Sequence, residues 1–541
     1  MKRENNSLRG LLLGPLGVST LLGLLCVGVW GGLVLASFSN DDELLIVNNL
    51  FIRDLAHLWD NLTRDYFYNS QGSAIGYWRP LTKSTYMVGW ALWGENPAGY
   101  YAVNIALFSA MILLAATVMR RAGASNSVAY GAAALAAIHP AHAESIGIIT
   151  ARSDVLVSTF LLALLAIELR PDPKGTTLVW GLFAAAAALA SKEVGVVAPL
   201  LVGIAHMVGR GATWRVALRR ALPYFALVAV YAATRLSLGI TPVAGAHSAI
   251  DTGTMVLATG KVVGLYTARL ATPALVEPLT VYAVFPEGPD LNTLAWVALG
   301  LTGILVLCTL LRRRTLWLAV AWIALPLAPA LSLRYVTISV HGDWLPAFDR
   351  SLLLASLGVC WLLATGIQSA GSWLAAHGRD RRWALGLGGL WAALAIQGAL
   401  RNVSTTRTVE TRNRAFVEAV ERVPRERRAP FQQKFVLEER AIEQAQSGDL
   451  AAAEQSFLEI SKLDPEDPVP RANLAMIYRM TGRPKLAVEQ LRWILRQEGN
   501  SRANRERREI LRELAAAEHE AGNPEAAERA WRRAQRLEEK E

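Results

Sequence analysis

The chain has little cysteine and little charge. Three cysteines occur in 541 residues, Cys26, Cys308 and Cys360. Each sits inside an apolar run, and none has the spacing of a disulfide framework or a thiolate metal site. Acidic residues are scarce over most of the length, since 25 of the 45 Asp and Glu lie beyond position 400. Charged residues make up 18% and hydrophobic residues 52%. One ordinary soluble core is excluded for a chain of this length. The pattern is that of an acid-poor membrane domain followed by a charge-rich soluble one. The formal net charge of +10 suits either nucleic acid or anionic lipid. Arg residues in short loops between apolar runs are orientation signals, so membrane lipid is the expected partner and nucleic acid is not.

A helix needs about 17–25 apolar residues to cross a bilayer. Eleven such runs are expected, near 11–38, 97–119, 126–139, 154–169, 175–191, 193–209, 220–238, 291–311, 315–332, 351–368 and 383–400. Lys2, Arg3, Arg9, Arg120, Arg121, Arg170, Arg210 and Arg312 to Arg314 fall on one face if the N-terminus is cytoplasmic. Residues 252–274 are apolar but carry Lys261 and Arg269, and read as an interfacial or re-entrant helix. The expected fold class is all-α: residues 1–400 form a polytopic transmembrane bundle, 401–430 a linker helix and 431–541 a helical-repeat domain.

The C-terminal part repeats. Gly448-Asp-Leu-Ala-Ala-Ala-Glu, Gly482-Arg-Pro-Lys-Leu-Ala-Val-Glu and Gly522-Asn-Pro-Glu-Ala-Ala-Glu each centre a helical hairpin. The first two glycines are 34 residues apart, the period of tetratricopeptide repeats. Such hairpins bury their faces against one another. They serve as a docking surface for an acceptor or partner protein, or as a folded cap or dimerisation module.

Polar clusters gather on the face opposite the basic loops. They are Asn40-Asp41-Asp42-Glu43, Tyr77-Trp78-Arg79-Pro80-Leu81, His139-Pro140-Ala141-His142-Ala143-Glu144, Arg152-Ser153-Asp154, Ser191-Lys192-Glu193 and Asp349-Arg350. Polar groups at membrane depth are costly and mark function. A carboxylate there can take a proton from an acceptor hydroxyl, and Arg or Lys can hold a phosphate as it leaves. Transfer of a sugar from a lipid phosphate is one chemistry that fits, and lipid hydrolysis is another. Simpler roles are open for each cluster: a helix cap for Asp41 and Asp42, an interfacial anchor for Arg79, and local ion pairs for Arg152–Asp154 and Lys192–Glu193. His139, His142 and Glu144 have residue types that suit a divalent metal, although substrate contact is the reading preferred, and no firm cofactor is assigned.

In this order the motifs resemble the TMTC-type (transmembrane and tetratricopeptide repeat) O-mannosyltransferases of the GT-C superfamily. The matching stretches are Asp41-Asp42-x-x-x-Ile46-x-x-Asn49, Tyr77-Trp78-Arg79-Pro80-Leu81, Pro97-x-x-Tyr100-Tyr101-x-x-Asn104, His139-Pro140-x-His142-x-Glu144, Arg152-Ser153-Asp154 and Ser191-Lys192-Glu193. The sequence departs from the family at Ala347-Phe348-Asp349-Arg350-Ser351, where a Glu and an aromatic are usual around the Arg, and at Val276-Glu277-Pro278-Leu279. The resemblance implies a GT-C fold, a polyprenyl-phosphate sugar as donor and a site on the lumenal or periplasmic side. The short repeat array points to a bacterial inner-membrane form. The resemblance also implies a catalytic base at Asp41, with Asp42 next to it, and substrate or phosphate contacts from Arg79, His139 and His142. Glu144, Arg152, Asp154, Lys192, Glu193 and Arg350 are further candidates for the same contacts. The expected function is an inverting membrane glycosyltransferase that moves mannose to a hydroxyl, on Ser or Thr of a protein held by the repeats. A non-catalytic scaffold and a transferase with a lipid or glycan acceptor are the alternatives.

Overall fold

In a computed structural model the described residues are 14–38, 42–47, 49–68, 76–173, 175–240, 252–276, 291–331, 349–406, 417, 421, 430–465, 467–497 and 504–538, and they contain helices and turns but no strand. The chain forms two compact units, Met1–Ala415 and Phe416–Glu541. In hydrocarbon every backbone donor and acceptor must be satisfied within its own segment, which makes helices of apolar runs. The first unit contains α1 (Pro15–Trp30), α2 (Pro80–Trp93), α3 (Pro97–Arg121), α4 (Asn126–Ala137), α5 (Arg152–Glu168), α6 (Thr177–Ser191), α7 (Ala198–Gly209), α8 (Trp214–Ser237), α9 (Thr252–Ala271), α10 (Leu291–Leu310), α11 (Trp317–Leu331), α12 (Leu353–Ala376) and α13 (Arg382–Thr406).

Among the described residues six helical segments are long and apolar enough to cross a membrane: Leu16–Leu35, Pro97–Arg121, Trp214–Ser237, Leu291–Leu310, Asp349–Ala376 and Arg382–Thr405. The pair Pro140–Gly147 and Arg152–Glu168 adds a seventh if it counts as one broken span, bent by 112°. Three more apolar helices, Thr177–Ser191, Glu193–Gly209 and Arg314–Pro329, are shorter. Eleven apolar runs thus do not become eleven long helices. The run at 126–139 shows why. Its helix α4 has 12 residues, about 18 Å of rise, and it stops before His139-Pro140, where proline lacks the amide donor and disfavours helical backbone in the residue before it.

α9 is one uninterrupted helix packed along α10. Gly260 lies against Val297, Gly264 against the Trp296 carbonyl and Gly300, and Thr267 against Gly303. Contacts that advance together along both helices mean that the two run in the same direction. Ala271 and Leu291 therefore lie at opposite ends of the pair.

Long-range side-chain bonds lock the first unit. Trp30 donates from its indole to the Ala137 carbonyl at 2.8 Å, and the Tyr101 hydroxyl donates to the Ser37 carbonyl at 2.9 Å. Far along α5, buried Glu168 accepts from the Tyr224 hydroxyl at 2.7 Å and Arg220 Nε at 3.0 Å, with His206 Nε2 at 2.8 Å. That cluster joins α5, α7 and α8.

The second unit contains α14 (Pro430–Gln446), α15 (Leu450–Leu463), α16 (Val469–Met480), α17 (Pro484–Gln497), α18 (Asn504–Glu520) and α19 (Pro524–Glu538). Its three hairpins turn at Gly448, Gly482 and Gly522, whose φ values are +87°, +72° and +83°. Only glycine takes this left-handed conformation at no steric cost, hence its use just past a helix end. Arg483 reaches back to Glu454 at 2.6 Å and Arg492 forward to Glu518 at 2.5 Å, which ties each hairpin to the next.

Candidate functional site

The site begins with the loop before α2. Asp65 accepts from the Phe67 and Gly76 amides, both at 2.8 Å, and the Tyr66 amide donates to the Tyr77 carbonyl at 2.8 Å. The buried Lys83 ammonium donates to the Asp65 carbonyl at 3.2 Å. Burial pushes its pKa down to about 8, against the opposing pull of Asp65 and Asp60. This loop places the rings of Tyr66 and Tyr77 5.2 and 4.5 Å from the Arg79 guanidinium. Arg79 donates to Glu193 through Nη2 at 3.0 Å and Nε at 3.2 Å.

The second wall is the break between Pro140–Gly147 and α5. Where a helix breaks, the amides in the gap leave the helical ladder and need other partners. Here Asp42, wholly buried, accepts from the Thr150 amide at 2.8 Å and the Ile149 amide at 3.4 Å. The Thr150 carbonyl accepts from the Tyr86 hydroxyl at 3.1 Å. The loop between α6 and α7 completes the wall. Lys192 donates to Asp154 Oδ1 at 2.5 Å. Burial pushes the Lys192 ammonium down, with Asp154 pulling the other way.

These elements enclose a cavity of about 260 Å³. Arg79, Asp154, Lys192, Glu193 and Arg350 all line it, so five expected site residues from four distant stretches come together. Tyr66, Phe67, Tyr77 and Tyr266 supply rings, and Pro326, Pro329 and several aliphatic residues complete the lining. Behind Arg350 lies Glu144, which accepts from the Arg350 amide at 3.1 Å and lies 3.8 Å from its Nε. Asp349 pairs with Arg269 of α9.

The ion pairs are not the local ones that adjacency suggests. Arg152 does not pair with Asp154, nor Lys192 with Glu193. Each bonds across the fold, because α5 and the α6–α7 loop point neighbouring side chains in different directions. Arg152, 1% exposed, donates to Asn104 Oδ1 at 2.7 Å, the Tyr100 carbonyl at 3.0 Å and Thr85 Oγ1 at 3.1 Å. It holds α2, α3 and α5 together and is not among the cavity-lining residues. His139 and His142 also lie away from the cavity. His139 Nδ1 accepts from the Ala141 amide at 3.2 Å, and His142 Nε2 is 3.4 Å from the Ser356 hydroxyl. Asp41 lies outside the described residues. Among the described residues no group of three or more His, Cys, Asp or Glu is arranged to hold a metal ion.

The motif reading missed Tyr66, Thr150, Tyr266 and Arg269. Tyr66 follows Arg64-Asp65 in a stretch that the motifs did not include, and Thr150 lies between two apolar residues. Arg269 was visible only as an unexpected cation in an apolar run.

No family model matches the chain. Among curated proteins it is similar to the human protein O-mannosyl-transferase TMTC1, 35% identical over 164 residues, which is 29% of this chain and 18% of that protein. It is also similar to the Drosophila melanogaster protein O-mannosyl-transferase Tmtc1, 30% identical over 174 residues, 31% of this chain and 20% of that one. The chain thus spans about a fifth of the length of these relatives. Among solved structures it is similar to the Archaeoglobus fulgidus oligosaccharyltransferase tethered with an acceptor peptide, with a TM-score of 0.42 and 13% identity, over 77% of this chain and 58% of that one. The sequence similarity and the apolar helices together describe a multi-pass membrane protein related in part to protein O-mannosyl-transferases.

Proposed function

We propose that the chain is an inverting glycosyltransferase that moves a sugar, mannose in the first instance, from a polyprenyl-phosphate donor to a protein hydroxyl. The observation that carries this reading is the cavity shared by Arg79, Lys192, Arg350, Asp154 and Glu193 among apolar helices. The names of the relatives support it. Three cations beside a lipid-facing bundle suit a lipid phosphate, and they offset charge that grows on it as it leaves. The acceptor oxygen forms a bond to the anomeric carbon as the bond from that carbon to the phosphate oxygen breaks. The polyprenyl phosphate departs with the electron pair. The hydroxyl proton passes to Asp41, the assigned base. Asp42, bound to the Ile149 and Thr150 amides, fixes that segment to the cavity wall.

On this reading the cavity faces the periplasm of a bacterial inner-membrane protein, the N-terminus is cytoplasmic, and the hairpins of the second unit are tetratricopeptide repeats that hold the acceptor protein. Holding the acceptor turns a bimolecular encounter into a local one. The test is transfer of labelled sugar from polyprenyl-phosphate mannose to membrane proteins, with wild type and Asp41→Asn at equal expression. Label with wild type alone supports both reaction and base. Label with neither favours a scaffold, and label with both moves the base elsewhere. Deletion of 430–541 separates acceptors: loss of label on protein alone supports docking by the repeats.

A further inference from the structure

The cavity wall carries two polar atoms that the protein itself leaves unused. Thr150 Oγ1 and Asp154 Oδ2 are buried and have no hydrogen-bond partner. Both residues are 6% exposed, and both line the cavity. Buried polar atoms in folded proteins are nearly always paired, and an unpaired one calls for an explanation. Thr150 lies in the turn that leads into α5, Asp154 in its first turn and Ser158 one turn further on, where it too lines the cavity. Asp154 and Ser158 are four apart on α5 and share a face of that helix, and Thr150 joins them from the turn before it. The wall thus presents a hydroxyl, a carboxylate and a hydroxyl in a row.

Neither unused atom belongs to a loose side chain. The Thr150 backbone is held at its amide by Asp42 and at its carbonyl by Tyr86. The Asp154 carboxylate is held at Oδ1 by Lys192. The rings of Tyr66, Tyr77 and Tyr266 also line the cavity, and the Tyr66 hydroxyl lies 3.5 Å from the Thr150 carbonyl. An aromatic face carries negative charge density that favours polarised C–H groups, and a carboxylate makes its strongest uncharged-partner bonds with hydroxyl donors. A sugar ring offers both, with C–H bonds on its faces and hydroxyls at its rim. A phosphate oxygen fits this part of the wall poorly, because it brings negative charge to a carboxylate and has few protons to give.

We infer that Thr150 and Asp154 bind adjacent hydroxyls of the transferred sugar and determine which sugar the site accepts. Asp154 Oδ2 accepts one O–H, Thr150 Oγ1 donates to or accepts from the next, and Lys192 acts as the positioning residue for the carboxylate. The inference rests on the glycosyltransferase reading above and adds the sugar subsite to it.

The experiment uses the full chain in detergent and two probes, polyprenyl-phosphate mannose and the same polyprenyl phosphate without sugar. Binding of each is measured for wild type, Asp154→Asn and Thr150→Val, with transfer assayed in parallel. Both substitutions conserve shape, and circular dichroism with size-exclusion profiles checks the fold of each. Loss of one hydrogen bond to a charged group lowers affinity by about 10-fold or more. The expected result is a loss of that order in binding of the mannosyl lipid relative to the bare lipid phosphate with Asp154→Asn, and a smaller relative loss with Thr150→Val. An equal loss for the two lipids overturns the inference, because the residues then serve the phosphate or the fold. Unchanged binding of both lipids also overturns it, and if transfer is lost at the same time Asp154 acts on the proton instead. Wild type that binds neither lipid overturns the glycosyltransferase reading itself.

Discussion

Arg79 and Glu193 are 114 residues apart in the sequence and meet side by side, with Nη2 and Nε of the guanidinium 3.0 and 3.2 Å from one carboxylate oxygen. The pair is mostly buried, at 12% and 23% side-chain exposure. It joins the start of α2 to the start of α7, the two sides of the cavity.

Removing one member of a buried pair leaves an uncompensated charge, at a cost of about 3–5 kcal/mol. Arg79→Met is therefore expected to lower the denaturation midpoint strongly. The double variant with Glu193→Leu is expected to recover much of the loss, since no buried charge remains. Melting curves of the single and double variants in the same detergent decide it; a double variant as unstable as the single would show that Glu193 is well solvated.

Lys83 gives a pH prediction. Its folded pKa is about 8, below the ordinary 10.5, because burial outweighs Asp65 and Asp60. Between these values the unfolded chain binds more protons than the folded one, so stability rises with pH across that window. Wild type is expected to gain stability relative to Lys83→Met between pH 8 and pH 10.5 and to show no such relative change between pH 6 and pH 7. Parallel Tm series check this, and a flat difference across the whole range would refute it.

Asp41 and Asp42 are expected to separate activity from stability. Asp42→Ala leaves the buried Thr150 and Ile149 amides unmatched, at about 1–3 kcal/mol for each unsatisfied group, and lowers Tm. Asp41→Asn, as loss of the general base, lowers transfer by about 10²–10⁴ with Tm unchanged. The reverse pattern would exchange their roles.

α9 and α10 touch through glycine. A methyl group on Gly264 would stand 2.0 Å from the Trp296 carbonyl oxygen, so Gly264→Ala forces two backbones apart. Such overpacking costs about 1–3 kcal/mol. Gly386→Ala on α13 meets nothing within 4 Å and is expected to hold or raise stability, as replacing an open helical glycine does. Equal Tm for both variants would mean that the two helices separate freely.

Much of this was legible in the sequence. Apolar runs predicted helices because hydrocarbon permits little else, and Gly448, Gly482 and Gly522 predicted turns because each takes a conformation that suits glycine. Arg79, Asp154, Lys192, Glu193 and Arg350 were legible because charge amid apolar helices is costly and stands out. Their pairing was not, because adjacency in sequence says nothing about which way a side chain points after a 112° break. His139 and His142 drew attention by residue type, yet they pack away from the cavity. Thr150 was invisible for the opposite reason: a threonine beside apolar residues is ordinary until its surroundings are known. The same-direction packing of α9 with α10 depends on glycine contacts that hydropathy does not register.

The bond from Asp42 to the Thr150 amide spans 108 residues. It sets a waiting time in biosynthesis. At roughly 5–20 residues per second, the ribosome needs about 5–20 s after making Asp42 before its partner exists. Until then the carboxylate has only water or the insertion machinery to answer it. A nascent chain stalled between these positions should therefore present an early segment that proteases still reach, and release of the stall should close it.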